Sequence, residues 1–467
     1  MVNRLWCETV VPVLWRNPWC YNNINYYNKS YLFIIIASYL SDDIKEFITN
    51  PKIQLPSSMH QSFLFDYLSF CRSINVYTIS KIISTGTPLS DNRFIIQQKF
   101  YGLLMRKCPE LRYFDMRSIY NHHMYSFPED RTRLETICEL NCDTSIDSKY
   151  FDELSRFCQH IQRLIIINIE NPLHGIIELI KVQKNLKYFE WKNGDNGKGP
   201  YKQVFLALEK KANNLNHLKL IFNYVEDFEY KLLQKILPKF RKLKTLVIDV
   251  IDDIDDIGDD DSFIEEQPEI LIYPDIENLS IRWDSLNVFS SITSIIENSG
   301  GHLKKIAFRP DELVVLSGDN FNNFIHKVYE NCPSIEYLTI SFLPLKENFT
   351  EFEKLLEICK NLKSLFLYME SNYEESWKYG KKLLRLLIRS APTNLREIRI
   401  SGYRFSLKSM KKFLGKWKDR PSLSILYIDY IGKDIYMRED YTKLINEYKS
   451  NGIIKDFKNV DDLCYEL

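Results

Sequence analysis

One apolar signature recurs along this chain: Leu or Ile, two residues, an apolar residue, one residue, an apolar residue. Clear copies stand at Leu111-Phe114-Met116, Ile161-Leu164-Ile166, Leu186-Phe189-Trp191, Leu215-Leu218-Leu220, Leu243-Leu246-Ile248 and Ile276-Leu279-Ile281. They continue at Leu303-Ile306-Phe308, Ile335-Leu338-Ile340, Leu362-Leu365-Leu367, Leu395-Ile398-Ile400 and Leu423-Leu426-Ile428. A weaker copy begins at Leu134-Ile137, with Glu139 where the third apolar residue is expected. From Leu111 to Leu423 the step is about 28 residues, inside the leucine-rich-repeat range. Such a period constrains the fold strongly, because each unit carries an apolar stripe it cannot bury alone.

Between the signatures lie segments with helical spacing. Tyr201 to Ala212, Glu229 to Phe240, Phe349 to Lys360 and Ser376 to Ala391 are the plainest. In the last, Leu383, Leu384, Leu387 and Ile388 fall on one helical face. A short strand followed by a helix, repeated, places parallel strands side by side with helical crossovers. The expected fold is therefore α/β: a leucine-rich-repeat solenoid, a curved parallel sheet with outer helices, preceded by a short helical N-terminal region. The expected divisions are 1–20, a helical linker and cap over 21–105, repeats over 106–430, and a C-terminal cap and tail over 431–467.

Charge is balanced, with 62 Lys plus Arg against 62 Asp plus Glu. Nothing global points to nucleic acid or to an anionic membrane surface. The local basic run Arg385, Arg389, Arg396, Arg399 and Arg404 reads as a solvated face. The longest apolar run, Tyr31 to Leu40, is about half of what a membrane helix requires. Ten cysteines are spread without a Cys-x-x-Cys pair, and the Cys138, Cys142, Cys158 and His160 spacing does not match a zinc site. Several cysteines sit just before a signature (Cys108, Cys332, Cys359), where a small buried residue after a helix is expected. Free thiols without an export signal point to the cytoplasm or nucleus.

Motifs for chemistry are lacking. The acidic stretch Asp249 to Asp261 places Gly258 where a calcium loop needs glycine, but Ile257 and Ile264 stand where oxygen ligands are required. It reads as a solvated acidic loop. Gly194 to Gly199 lacks the spacing of a phosphate loop, and His122-His123 lies in a polar turn-like stretch. The expectation is a binding protein with no catalytic residues, no cofactor and no metal.

Side chains alternate along a strand, so residues flanking the third apolar position face the concave surface. Asp115, Arg117, Glu190, Lys192, Arg282, Arg309, Phe366, Tyr368, Arg399 and Tyr427 are among them. The C-terminal group is rich in the residue types enriched at binding hot spots. Arg282, Arg309, Phe366, Tyr368, Arg399 and Tyr427 are the expected target-binding residues.

The first residues, VNRLWCETVVPVLWRNP, resemble the C-terminal half of an F-box through Val2, Arg4, Trp6 and the Leu14-Trp15 pair. Phrases such as LMRKCPELRYFDM, VQKNLKYFEW, VYENCPSIEYL and RSAPTNLREIRI resemble a large fungal family of F-box and leucine-rich-repeat proteins. The Leu-Pro opening of an F-box lies outside the matching residues, so the match is to a partial motif. The resemblance implies a substrate receptor of an SCF-type cullin-RING ubiquitin ligase. Leu5, Trp6, Leu14 and Trp15 would meet a Skp1-like adaptor, and the repeats would bind an unknown target protein. The alternative is a stand-alone repeat scaffold without ligase coupling.

Overall fold

The computed structural model describes residues 4–19, 26–40, 64–86, 93–117, 131–144, 146, 148–167, 174–192, 201–222, 227–250, 271–282, 288–309, 318–341, 345–368, 376–428 and 439–459. Gly194 to Gly199, His122-His123 and the acidic stretch beyond Val250 lie outside these residues.

The chain divides into two compact units, Met1–Leu215 and Asn216–Leu467. In the first, five short strands lie side by side in chain order: β1 (Ser73–Asn75), β2 (Tyr113–Asp115), β3 (Glu139–Asp143), β4 (Arg163–Ile167) and β5 (Tyr188–Lys192). The pairs β1–β2, β2–β3, β3–β4 and β4–β5 are parallel. In the second unit β6 (His217–Phe222), β7 (Thr245–Val250), β8 (Asn278–Arg282), β9 (Lys305–Arg309) and β10 (Tyr337–Ser341) continue the same plan. They are followed by β11 (Ser364–Tyr368), β12 (Glu397–Ser401), β13 (Leu423–Ile428) and β14 (Ile454–Asn459). Every adjacent pair from β6 to β14 is parallel. Each unit is thus an α/β solenoid of strand-and-helix repeats.

The signature explains the packing. Its second and third positions point inward in register, so Leu218, Leu246, Leu279, Ile306, Leu338, Leu365 and Ile398 form one buried row. Full burial of each such side chain contributes about 1.5–3 kcal/mol. Helices close the core. Trp191 of β5 lies against Tyr201 and Phe205 of the helix Tyr201–Glu209, with ring centroids 5.2 and 6.5 Å away. The helix Ser376–Ser390 buries Leu383, Leu384, Leu386 and Leu387 and turns its lysines to solvent. Gly380 lets that helix lie against the chain behind it, since a Cβ there would stand 2.0 Å from the Arg404 carbonyl oxygen.

Between repeats the backbone repeats one device. The carbonyl of the residue before a strand accepts two N–H groups from the next repeat. Arg72 O takes Arg112 N and Tyr113 N at 2.8 and 3.1 Å; Lys304 O takes Glu336 N and Tyr337 N at 2.8 and 3.0 Å. These bonds lie at the start of the strand ladder, where one carbonyl serves two donors of the next repeat. After several helices one position is filled by a small or self-satisfied residue. Cys108, Cys158, Cys332 and Cys359 occupy it and are buried. Burial pushes the Cys332 thiol up to about 11 and those of Cys158 and Cys359 to about 12, so these thiols stay protonated and unreactive at neutral pH. In the repeat with Gln183, the amide bridges neighbours instead, donating to Cys158 O (2.6 Å) and Leu179 O (2.8 Å) and accepting from Ile161 N (2.8 Å).

Three readings from the sequence are corrected here. The weak copy is Ile137-Leu140-Cys142, all buried, because Phe114 pairs with Leu140; Glu139 is an open-face residue. The last copy is one residue out, since Ile398 pairs with Ile425 and Ile400 with Tyr427. Strands also lie beyond both expected limits of the repeats, β1 in the first unit before residue 106 and β14 in the second after residue 430.

Candidate functional site

Three surfaces come into question, and the first is α1 (Arg4–Leu14). None of its side chains is buried. Leu5 and Trp6 are 69% and 63% exposed, and Val13 and Leu14 are also exposed. The chain just after the helix is fixed firmly. Trp15 packs on Tyr67 with centroids 4.8 Å apart and ring planes tilted by 41°. Arg16 O accepts Arg72 N at 2.9 Å, the same role that Arg72 O plays for the next repeat. Trp19 is buried and donates its indole N–H to Ser73 O at 2.8 Å. A helix thus stands anchored at its C-terminal end with large apolar side chains in water. Of the four residues expected to meet an adaptor, Leu5, Trp6 and Leu14 are exposed, while Trp15 is half-buried as part of the anchor.

The second surface is the open face of the first unit's sheet, the side opposite its inward apolar rows. Register brings Asn75, Asp115, Asn141, Ile165 and Glu190 into one row, and Tyr113, Glu139, Arg163 and Tyr188 into the next. Their polar members form two groups, one around Asp115 and one running from Glu139 to Glu190. The Asp115 carboxylate is fully buried and accepts from Arg117 Nε (2.8 Å) and its second guanidinium nitrogen (2.5 Å). It also accepts from Asn75 Nδ2 (3.0 Å) and the Tyr113 hydroxyl (3.3 Å). Asn141 donates its Nδ2 to the Tyr113 oxygen at 3.0 Å. Glu139 lies 3.1 Å from Arg163 Nε, and the Arg163 guanidinium covers the Tyr188 ring at 3.9 Å. The Tyr188 hydroxyl donates to Glu190.

The electrostatics follow from this crowding. Burial, with Asp115 close by, pushes the Tyr113 phenol up to about 12. Burial holds the Glu139 carboxyl above its usual range; Arg163 opposes this and Asp115 adds to it. Hydrogen bonding to Asp115 raises Arg117 still further.

The third surface is the open face of the second unit. Its central row runs Lys219, Val247, Ser280, Ala307, Thr339, Phe366, Arg399, Leu426 and Lys458. Phe366 is only 5% exposed although it stands on this face, and Tyr368 is half-buried beside it along β11. Arg399 is in register with Phe366 and is held by Glu397 at 2.8 Å. Arg282 and Arg309 are paired in β8 and β9; their side chains fall outside the described set. Tyr427 is a correction. It points inward, is 7% exposed, and packs on Phe457 of β14 at 5.1 Å. The run LSILYI offers two apolar registers, and a one-residue slip exchanges the faces of every side chain. Phe366, Tyr368 and Arg399 are brought together; Tyr427 is not with them. The basic run is likewise dispersed: Arg389 pairs with Glu353 on a neighbouring helix, Arg399 sits on the sheet, and Arg404 is buried in a loop.

Sequence reasoning passed over Asn75, Tyr113, Glu139, Asn141, Arg163 and Tyr188. The signal was present: strand alternation carried one residue further back marks the position between the first two apolar residues as open-face too. Among the described residues no group of His, Cys, Asp or Glu is placed to hold a metal ion, and no helix is long and apolar enough to cross a membrane.

No family model matches the chain, and no curated protein matches it in sequence.

Proposed function

We propose that this chain is a protein-binding repeat protein acting as the substrate receptor of an SCF-type ubiquitin ligase. In this reading α1 docks to a Skp1-like adaptor and the open sheet faces hold the target. The observation that carries it is α1 itself. Leu5, Trp6, Val13 and Leu14 project from a helix whose own fold leaves them uncovered, and exposed apolar patches of this kind mark contact sites. Rigid attachment through Trp15, Arg16 and Trp19 fixes the helix relative to the first repeat, as a coupling element requires. The N-terminal resemblance to an F-box supports the adaptor's identity, and the solenoid supports recognition over an extended surface. The transfer chemistry would belong to the partners.

The test is a pull-down of the purified chain with a Skp1-like adaptor, beside a Leu5→Ser/Trp6→Ser double variant. Wild type is expected to bind, and the variant to lose binding while its melting temperature stays the same, because both side chains are already exposed. Absence of binding by the wild type rejects the ligase reading and leaves a repeat scaffold without ligase coupling. Equal binding by the double variant rejects α1 as the contact.

A further inference from the structure

We propose that the outer helical face of the second unit, on the neighbouring helices Ser376–Ser390 and Leu407–Lys416, binds a short acidic segment of a partner protein. The exposed lysines of the two helices are the recognising groups. This surface is separate from α1 and from the sheet faces, and the inference stands without the ligase reading.

The key observation is a local excess of charge in a balanced chain. Lys plus Arg equals Asp plus Glu overall, at 62 each. The helix Ser376–Ser390 carries five cations and the helix Leu407–Lys416 four, and neither has an acidic residue. The excess persists when Glu374 and Glu375, next before the first helix in the chain, are set against it. The two helices lie side by side. Lys381 and Arg385 on one, and Lys408, Lys411, Lys412 and Lys416 on the other, recur at the three- and four-residue spacing of one helical face, and all are exposed. Among the described residues none of these six forms an ion pair, whereas Arg389 is held by Glu353. Like charges at this spacing repel one another, and no carboxylate in either helix relieves them. An acidic partner supplies the counter-charge that these helices lack.

The surroundings select the size and kind of partner. The helix Lys346–Ile358 on one side has four carboxylates against two lysines, and the helix Glu439–Ser450 on the other has three against two. A nucleic-acid duplex or an anionic membrane extending past the patch meets these carboxylates and is repelled. The membrane is disfavoured a second way. Leu383, Leu384, Leu387, Met410, Phe413 and Leu414 are spent in the core, and Trp377 is the one large apolar side chain of the two helices left exposed, too little to enter a bilayer interface. From Lys378 to Arg385 and from Lys408 to Lys416 the helices rise about 10 and 12 Å. An extended chain, at about 3.3 Å per residue, covers that length with about four residues. A short run of Asp or Glu therefore fits the patch.

The experiment titrates the full chain into a fluorescein-labelled peptide alternating Glu and Ser, beside its Gln and Ser counterpart, at low salt, read by anisotropy. The Glu peptide is expected to bind at least about tenfold more tightly and to weaken as salt rises. Lys411→Gln/Lys412→Gln and Lys381→Gln/Arg385→Gln are each expected to cut its affinity about tenfold. Their melting temperatures should stay the same, because all four side chains are exposed. Lys231→Gln/Lys235→Gln removes the same charge from exposed positions of the helix Asp227–Ile236 and is expected to change affinity by less than about twofold. Equal binding of the two peptides overturns the acidic ligand. Unchanged affinity in both patch variants, or an equal loss in the Lys231 and Lys235 variant, overturns the site. Tighter binding of a short DNA duplex or of phosphatidylserine vesicles than of the Glu peptide, lost in the patch variants, overturns the peptide as the occupant. The adaptor pull-down reads α1 in the other unit, so failure here is separable from failure of the ligase reading.

Discussion

The open faces of the two units share a scaffold and differ in how their side chains are occupied. In the first unit Asn75, Tyr113, Arg117 and Asn141 are tied around the fully buried Asp115 carboxylate, and Glu139, Arg163 and Tyr188 form a second polar group on the same face. In the second unit the equivalent row is small or apolar at Val247, Ala307, Phe366 and Leu426, with Lys219, Lys458 and Arg399, the last held by Glu397, as charged members. The same repeat therefore presents two chemistries. Inward positions are fixed by the need to bury apolar area, which is alike in every repeat. Open-face positions carry no such demand and are left to vary.

The largest expected effect tests the register that separates the two kinds of position at β13. Tyr427→Ala is expected to cost about 3 kcal/mol, as removal of a buried aromatic does, whereas Leu426→Ala on the open face is expected to cost under about 1 kcal/mol. Denaturant titration of both variants measures this, and the reverse order would restore Tyr427 to the open face. Next comes the network that distinguishes the first unit. Asp115→Ala leaves Arg117, Asn75 and Tyr113 without their common acceptor, at about 2–3 kcal/mol given the charged partner. A loss as small as that of an isolated surface ion pair would show that the two faces do not differ in cohesion.

A smaller effect concerns what the units have in common. Gly380 in the second unit and Gly175 in the first both sit on helices pressed against backbone, with a Cβ falling 2.0 Å from Arg404 O and 2.4 Å from Ser148 O. Alanine favours a helix by about 1 kcal/mol, yet overpacking costs about 1–3 kcal/mol. Gly380→Ala is expected to lower stability by about 1–2 kcal/mol in thermal melts; a gain would mean that the helix has room to shift. The smallest effect is one of pH. Burial raises the folded Glu139 carboxyl above its unfolded value, with Asp115 adding and Arg163 opposing; Tyr113 on β2 and Arg163 on β4 flank it in register. The folded state then holds this proton more tightly, so the stability it contributes is present below the unfolded pKa and is lost as pH rises through the folded one. Glu139→Gln is expected to flatten that decline just above the ordinary carboxylate range, measured as melting temperature against pH.

The architecture was legible in the sequence because an inward apolar position is an energetic requirement repeated at a fixed step. Leu218, Leu246, Leu279, Ile306, Leu338 and Leu365 could each be read without knowing their neighbours, and the helices at Tyr201–Glu209 and Ser376–Ser390 announced themselves by their apolar faces. Where the pattern was ambiguous, local reading failed. LSILYI at β13 fits two registers, and only pairing with β12 selects Ile425 and Tyr427 as the inward residues. Glu139 interrupts an apparent signature because the true one, Ile137-Leu140-Cys142, has a cysteine for its last member. The open-face network was harder still. Asn75, Asp115 and Asn141 are 40 and 26 residues apart in the chain, and nothing in their local sequence announces that they share a row.

The chain by itself thus determined the period, the strand-and-helix alternation and the inward side chains, since those depend on local spacing and on the free energy of burying apolar surface. Tertiary structure alone decided which open-face residues become neighbours and which register a continuous apolar strand adopts. Those outcomes depend on lateral pairing between distant segments, where a shift of one residue reverses every side chain.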